Sequence, residues 1–302
     1  MNTPYEHLHP TAARMVGRSI SARFSFIERD RVLETPPLLQ THDRLAEMYA
    51  HPQISRPPNL AIIAASGAGK SHAVKDFLRQ HPRRRTADGR LRLPILFVEY
   101  PPFAGQNWLA TAMLAALGYE AGLPRETSRL HELIIERLIL AGTRLIIIEE
   151  VSRLYKFASA HLLDFYGFIV WLSNQSQVPI VLTGIEELSP VIEGDLQLVR
   201  RFERLEILPW KLGQDFTDFV HTYLSMMPLA EPSQIDRSML ERLMEASQGN
   251  TDTLVKALQR AAKAAILDKQ ERLLLKHVKN IDAFSPPPVA AGRRVQRRRR
   301  HK

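Results

Sequence analysis

The chain has 302 residues, 45% hydrophobic and 24% charged, with no cysteine. That length suits one large or two modest domains with a sizeable core, and the missing thiols exclude disulfides, thiolate zinc sites and a cysteine nucleophile. The formal charge is +9, yet residues 1–292 hold 34 Lys and Arg against 32 acids, and the other seven basic residues fall in Arg293–Lys302.

No apolar run approaches the about 18 residues needed to span a bilayer, and MNTPYEHLHP lacks a basic-then-apolar leader, so a cytoplasmic protein without a membrane partner is expected. No internal repeat is evident. Residues 1–40 are mixed and contain PPLLQ, which suggests an N-terminal arm. Thr41–Ala50 has helical period, with Leu45, Met48 and Tyr49 on one face. A link, Arg56-Pro57-Pro58-Asn59, leads into the apolar run LAIIA, a glycine-bearing stretch and the helical pattern SHAVKDFLRQ. Strand, glycine loop and helix are the context of a phosphate-binding loop.

The loop comprises Ala65, Ser66, Gly67, Ala68, Gly69, Lys70 and Ser71, with Ala64 where the usual GxxxxGK[ST] spacing has Gly. Ala64 belongs to the strand end, where the looser form of the motif accepts Ala. Backbone N–H groups from Ser66 to Ser71 can point at phosphate oxygens, and the helix N-terminus adds partial positive charge. Lys70 is expected to reach the β- and γ-phosphates of ATP, and the Ser71 hydroxyl to ligate Mg²⁺.

Further on, the basic run Arg83-Arg84-Arg85 with Arg90 and Arg92 reads either as a nucleic-acid contact or as a solubilising loop. PILFVE (94–99) is a second apolar strand. TRLIIIEEVSRL supplies a third, ending in two carboxylates. In P-loop ATPases the first acid of such a pair holds Mg²⁺, here Glu149 in place of the usual Asp, and the second, Glu150, orients and deprotonates the attacking water. The bland alternative is a solvated strand end. The extra methylene of Glu149 argues for slow hydrolysis.

With PIVLTG (179–184) as a further strand, the order resembles an AAA+ module: an α/β core with a central parallel sheet. The resemblance implies that Thr183 senses the γ-phosphate, although it could equally cap the next turn. It also implies that Arg200 or Arg201, before Phe202, reaches the nucleotide of a neighbouring subunit. After Trp210 the pattern is wholly helical, a small lid. There Gly249-Asn250-Thr251 is followed by Asp252, where most AAA+ lids carry a sensor Arg.

Within AAA+ proteins the chain resembles the TniB/TnsC family of transposition ATPases over most of residues 20–284. ERDRVLETPPLLQTHDRLAEMYAHP before RPPNLAIIAASGAGKS, VWLSNQSQVPIVLTGIEE, RRFERLEILPW and GNTDTLVKAL carry it. The resemblance implies an ATP-dependent regulator that assembles as a ring or filament on double-stranded DNA and connects a DDE-type transposase with a TniQ-like target selector. The expected divisions are an arm (1–40), a nucleotide-binding core (41–210), a helical lid (211–284) and a disordered basic tail (285–302), the last a solubility tail or a polyanion-binding arm. A helicase loader or replication initiator and a nucleotide-switched interaction or defence module not acting on DNA remain alternatives. No convincing helix-turn-helix follows the lid to favour an initiator.

Overall fold

The computed structural model describes residues 5–100, 106–119, 122, 124, 126–156 and 159–279. The expected basic tail and the last residues of the expected lid lie outside them. In chain order the strands are β1 (Asn59–Ala64), β2 (Arg84–Arg85), β3 (Leu91–Arg92), β4 (Ile95–Glu99), β5 (Leu145–Glu149), β6 (Ile180–Gly184) and β7 (Phe202–Ile207).

Five of them form one sheet in the order β4-β5-β6-β1-β7, with every neighbouring pair parallel. The uninterrupted apolar runs of β1 and β5 follow from this arrangement, because a parallel sheet is covered on both faces. Side chains alternate between the faces. Leu60, Ile62, Leu145 and Ile147 join a cluster with Leu45, Met48, Val74 and Phe77 of the helices Pro36–Ala50 and Lys70–Gln80. Ala61, Ile63, Ile146 and Ile148 pack on the other face with Leu109, Met113, Ile134 and Ile169. The expected α/β core with a central parallel sheet is what the chain forms.

The Pro36–Ala50 helix begins five residues before the helical pattern read from the sequence, so PPLLQ is its first turn and not part of an arm. Two prolines are tolerated there because the first N–H groups of a helix lack intrahelical partners. Thr35 caps the turn, its hydroxyl accepting from the N–H of Leu38 at 3.3 Å.

The chain divides into two compact units. The larger comprises Arg29–Tyr223 and Gly249–Asp252. The smaller holds the described residues up to Glu28, Leu224–Gln248 and those from Thr253 onward. Within the smaller unit, Arg23 is buried and forks onto Glu271, with Nη1 donating to Oε1 at 2.9 Å, and it donates to the Pro228 carbonyl. The N–H of His9 donates to the Ser225 carbonyl at 2.8 Å. The described residues up to Glu28 are thus part of the helical unit that follows the sheet. Among the described residues, no helix is long and apolar enough to cross a membrane.

Candidate active site

β1 ends at Ala64, and the chain turns through Ala65–Gly69 into the Lys70–Gln80 helix. Gly67 and Gly69 have φ of +78° and +96°, a region that residues with a Cβ adopt at a cost. Their placement compacts the loop: the N–H of Ala68 donates to the Ala65 carbonyl at 3.1 Å, and Gly69 caps the helix, its carbonyl accepting from Ala73 at 3.0 Å. Ser71 is half-buried in the first helical turn.

Parallel pairing brings the other strand ends alongside. Ile148 lies opposite Leu182 and Ile62 opposite Thr183, so Glu149, Thr183 and the end of β1 share the C-terminal edge of the sheet. Lys70 is only 5% exposed, and its Nζ stands 3.8 Å from Oε1 of Glu150. Glu150 takes a φ of +63° and its carbonyl accepts from the N–H of Arg153 at 3.1 Å, within the short 3-10 turn Val151–Lys156. That backbone state costs a residue with a Cβ about 1–2 kcal/mol, and such outliers concentrate at functional sites.

Among the described residues, two buried oxygens at this edge have no hydrogen-bond partner: Oε1 of Glu149 and Oγ1 of Thr183. An unsatisfied buried polar atom costs about 1–3 kcal/mol. Both atoms are therefore open to a polar group beyond those of the described residues. A carboxylate, a hydroxyl and an ammonium at the mouth of an anion-receiving loop are the donor set that a nucleoside triphosphate with Mg²⁺ requires, so the residues present fit these groups.

Arg200 and Arg201 are not brought to this edge. They end the short helix Leu196–Arg201 just before β7, and Phe202 lies opposite Asn59 at the start of β1. The length of β1, roughly 17–20 Å, separates them from the loop of their own chain. Nη1 of Arg201 donates to Oδ1 of Asn174 at 2.8 Å, whereas Arg200 is exposed and lines a cavity of about 680 Å³ with Arg56 and Glu203. The basic run after the loop helix is a hairpin: Arg84 lies opposite Arg92 and Arg85 opposite Leu91, and Arg83, Arg84, Arg85, Arg90 and Arg92 are all exposed.

From the sequence, Asn250 and Thr251 stand out only for the Arg that does not follow them. In the structure they touch the loop. Nδ2 of Asn250 donates to the Ser66 carbonyl at 2.6 Å, and Oγ1 of Thr251 lies 3.4 Å from the Ala68 carbonyl. The nearest signal in sequence is the Gly-Asn pair itself, whose partner is more than 180 residues away.

The sheet order, with β1 between β6 and β7, a glycine loop after β1 and an acid pair closing β5, defines the AAA+ class of P-loop ATPase folds. Solved structures share it. The Aeropyrum pernix ORC1 protein, determined in complex with DNA, matches at a TM-score of 0.58 and 20% identity over 86% of this chain and 68% of that one. Cdc6p from Pyrobaculum aerophilum matches at 0.61 and 13% identity over 85% and 69%. Domain III of the Thermotoga maritima replication initiation protein DnaA matches at 0.51 and 15% identity over 91% and 96%. At these identities the likeness establishes the fold. The family model described as bacterial TniB protein matches residues 23–212, and the chain belongs to that family. The comparison with curated proteins gives no match.

Proposed function

We propose that this protein binds ATP with Mg²⁺ at the Ala65–Ser71 loop, hydrolyses it slowly, and acts on double-stranded DNA as a transposition regulator. Its proposed partners are a DDE-type transposase and a TniQ-like target selector. The observation that carries the nucleotide reading is the convergence at one sheet edge of Lys70, Glu150 and the buried oxygens of Glu149 and Thr183, which have no partner among the described residues. Ser71 and Glu149 would hold Mg²⁺, which when bound neutralises charge on the β- and γ-phosphates. Glu150, held toward Lys70, is the base that accepts a proton from the attacking water. Thr183 reports the γ-phosphate through its buried hydroxyl.

Arg200 is the better of the two candidate arginines for action on a neighbouring copy. Arg201 is engaged by Asn174, while Arg200 projects from a helix whose Leu196 and Val199 are also exposed, Leu196 at 72%. Apolar side chains beside an available guanidinium suit a contact with a second subunit. For DNA, the support within the larger unit is the hairpin: like charges directly opposite across two strands destabilise them, and phosphates between Arg84 and Arg92 would remove that repulsion. Among AAA+ folds, membership of the TniB family favours transposition over replication initiation, since the likeness to initiators is one of fold.

The test is calorimetry with ATP on the wild-type chain and on Lys70→Ala. Lys70→Ala should fold and lose most of its affinity, because a charge-assisted contact is removed. Unchanged affinity would refute the assignment.

A further inference from the structure

Gly249–Asp252 lies within the larger unit, against the phosphate loop. Three successive loop carbonyls meet it. Ser66 accepts from Nδ2 of Asn250, Gly67 accepts from the N–H of Asp252 at 2.9 Å, and the Ala68 carbonyl faces Oγ1 of Thr251. The segment is itself anchored. Nε1 of Trp210 donates to Oγ1 of Thr251 at 3.0 Å, and the N–H of Trp210 donates to the Gly249 carbonyl at 2.9 Å. The fit is close at two glycines: a Cβ on Gly67 would come within 2.8 Å of Oδ1 of Asn250, and one on Gly249 within 2.4 Å of the Trp210 carbonyl.

We infer that Asn250 and Thr251, backed by Trp210, are positioning residues that hold the phosphate loop in its anion-receiving shape. In a planar trans peptide the C=O and the following N–H point in opposite directions. Fixing the carbonyls of Ser66, Gly67 and Ala68 on the Asn250 side therefore turns the N–H groups of Gly67, Ala68 and Gly69 away from it. That of Ala68 closes the turn on Ala65, and those of Gly67 and Gly69 are left facing the side where an anion is received. Glycines give the loop freedom, and a loop already held in its bound shape loses less entropy on binding. This segment stands where most AAA+ lids contribute a nucleotide-contacting Arg; here it acts through the loop backbone.

The inference rests on the nucleotide reading above, and the experiment separates the two. Asn250→Leu keeps the approximate side-chain size and removes the donor without adding a charge. Thr251→Val removes the hydroxyl, and Thr251→Ser restores it. Binding of a slowly hydrolysed ATP analogue is measured by calorimetry, and amide hydrogen exchange of residues 65–71 is followed in the nucleotide-free proteins. Asn250→Leu should bind about five- to tenfold more weakly, the range of one missing hydrogen bond, with faster exchange in the loop. Its nucleotide-free melting temperature should stay near wild type. Thr251→Val should weaken binding and Thr251→Ser should recover it. Wild-type binding with Asn250→Leu within twofold of it, or loop exchange unchanged in that variant, would overturn the positioning role alone. A wild-type chain that binds no analogue would sink the nucleotide reading and this one together.

Discussion

At the scale of single residues, the loop glycines and Glu150 carry the sharpest expectations. Gly67 and Gly69 both have positive φ, so Ala at either is strained by about 1–2 kcal/mol. Only at Gly67 would the new methyl also meet Asn250, whereas the space beside Gly69 is open. Gly67→Ala should therefore lower both melting temperature and ATP affinity more than Gly69→Ala; equal effects would show that the contact with Asn250 is soft. Glu150→Gln should leave ATP binding within a fewfold of wild type and stop turnover, as measured by phosphate release, since the amide cannot take the water's proton. The loop, Lys70 and the acid pair are legible because each is a run of neighbours in sequence. That Glu149 and Thr183 carry buried oxygens with no partner among the described residues is not, since burial depends on how the whole chain packs.

At the scale of elements, the hairpin β2–β3 and the helix caps of the smaller unit are separable parts. A two-stranded hairpin has little stability of its own, so replacing Arg84, Arg85 and Arg92 together by Ala should leave folding nearly unchanged. It should reduce the slope of log K for DNA against log salt by up to about three, near 0.9 for each phosphate that is no longer neutralised. An unchanged slope would assign DNA binding to other residues. In the smaller unit, His277 and then Lys276 hold the Asp268 carboxyl well below the usual carboxylate range, and the N–H of Met239 lowers that of Asp236, which caps the Arg237–Ser247 helix. A carboxyl depressed in the folded state contributes stability that is full above its unfolded pKa, about 3.9, and is lost as pH falls through the folded value. The melting temperature of the wild type should fall more steeply below about pH 4 than that of Asp268→Asn. Parallel curves would remove Asp268 from the acid response.

At the scale of the whole molecule, the proposed assembly places one chain's Arg200 at another chain's nucleotide. Arg200→Ala should keep monomer ATP binding and lower turnover, by about 10³-fold if it behaves as other trans-acting arginines do, while Arg201→Ala should do less. Mixing Glu150→Gln with Arg200→Ala subunits should restore part of the turnover, because some interfaces then pair an intact acid with an intact Arg. No recovery at any ratio would remove support for a shared site. The basic residues of 293–302 lie outside the described residues, and their role is read from charge: a chain ending at Phe284 should bind DNA with a salt slope shallower by at most about six. It should still require ATP to assemble. Loss of all ATP-dependent assembly on that truncation would make the tail the DNA-binding element.

Order along the chain was enough for the parts whose chemistry is local. Apolar runs specified four of the five strands of the sheet, glycines specified the turn before Lys70, and the acid pair closed the third apolar strand; the fifth, β7, alternates apolar with charged residues and was not read from the sequence. Folding in three dimensions settled everything that depends on partners distant in the chain. It left Arg200 exposed and gave Arg201 to Asn174, and it set Asn250 and Thr251 against loop carbonyls. It also placed Arg23 on Glu271, making the described residues before Arg29 part of the helical unit. The physical reason is common to all three: a hydrogen bond or ion pair is specified by where packing delivers both groups, and one side chain's identity says nothing of which partner will arrive.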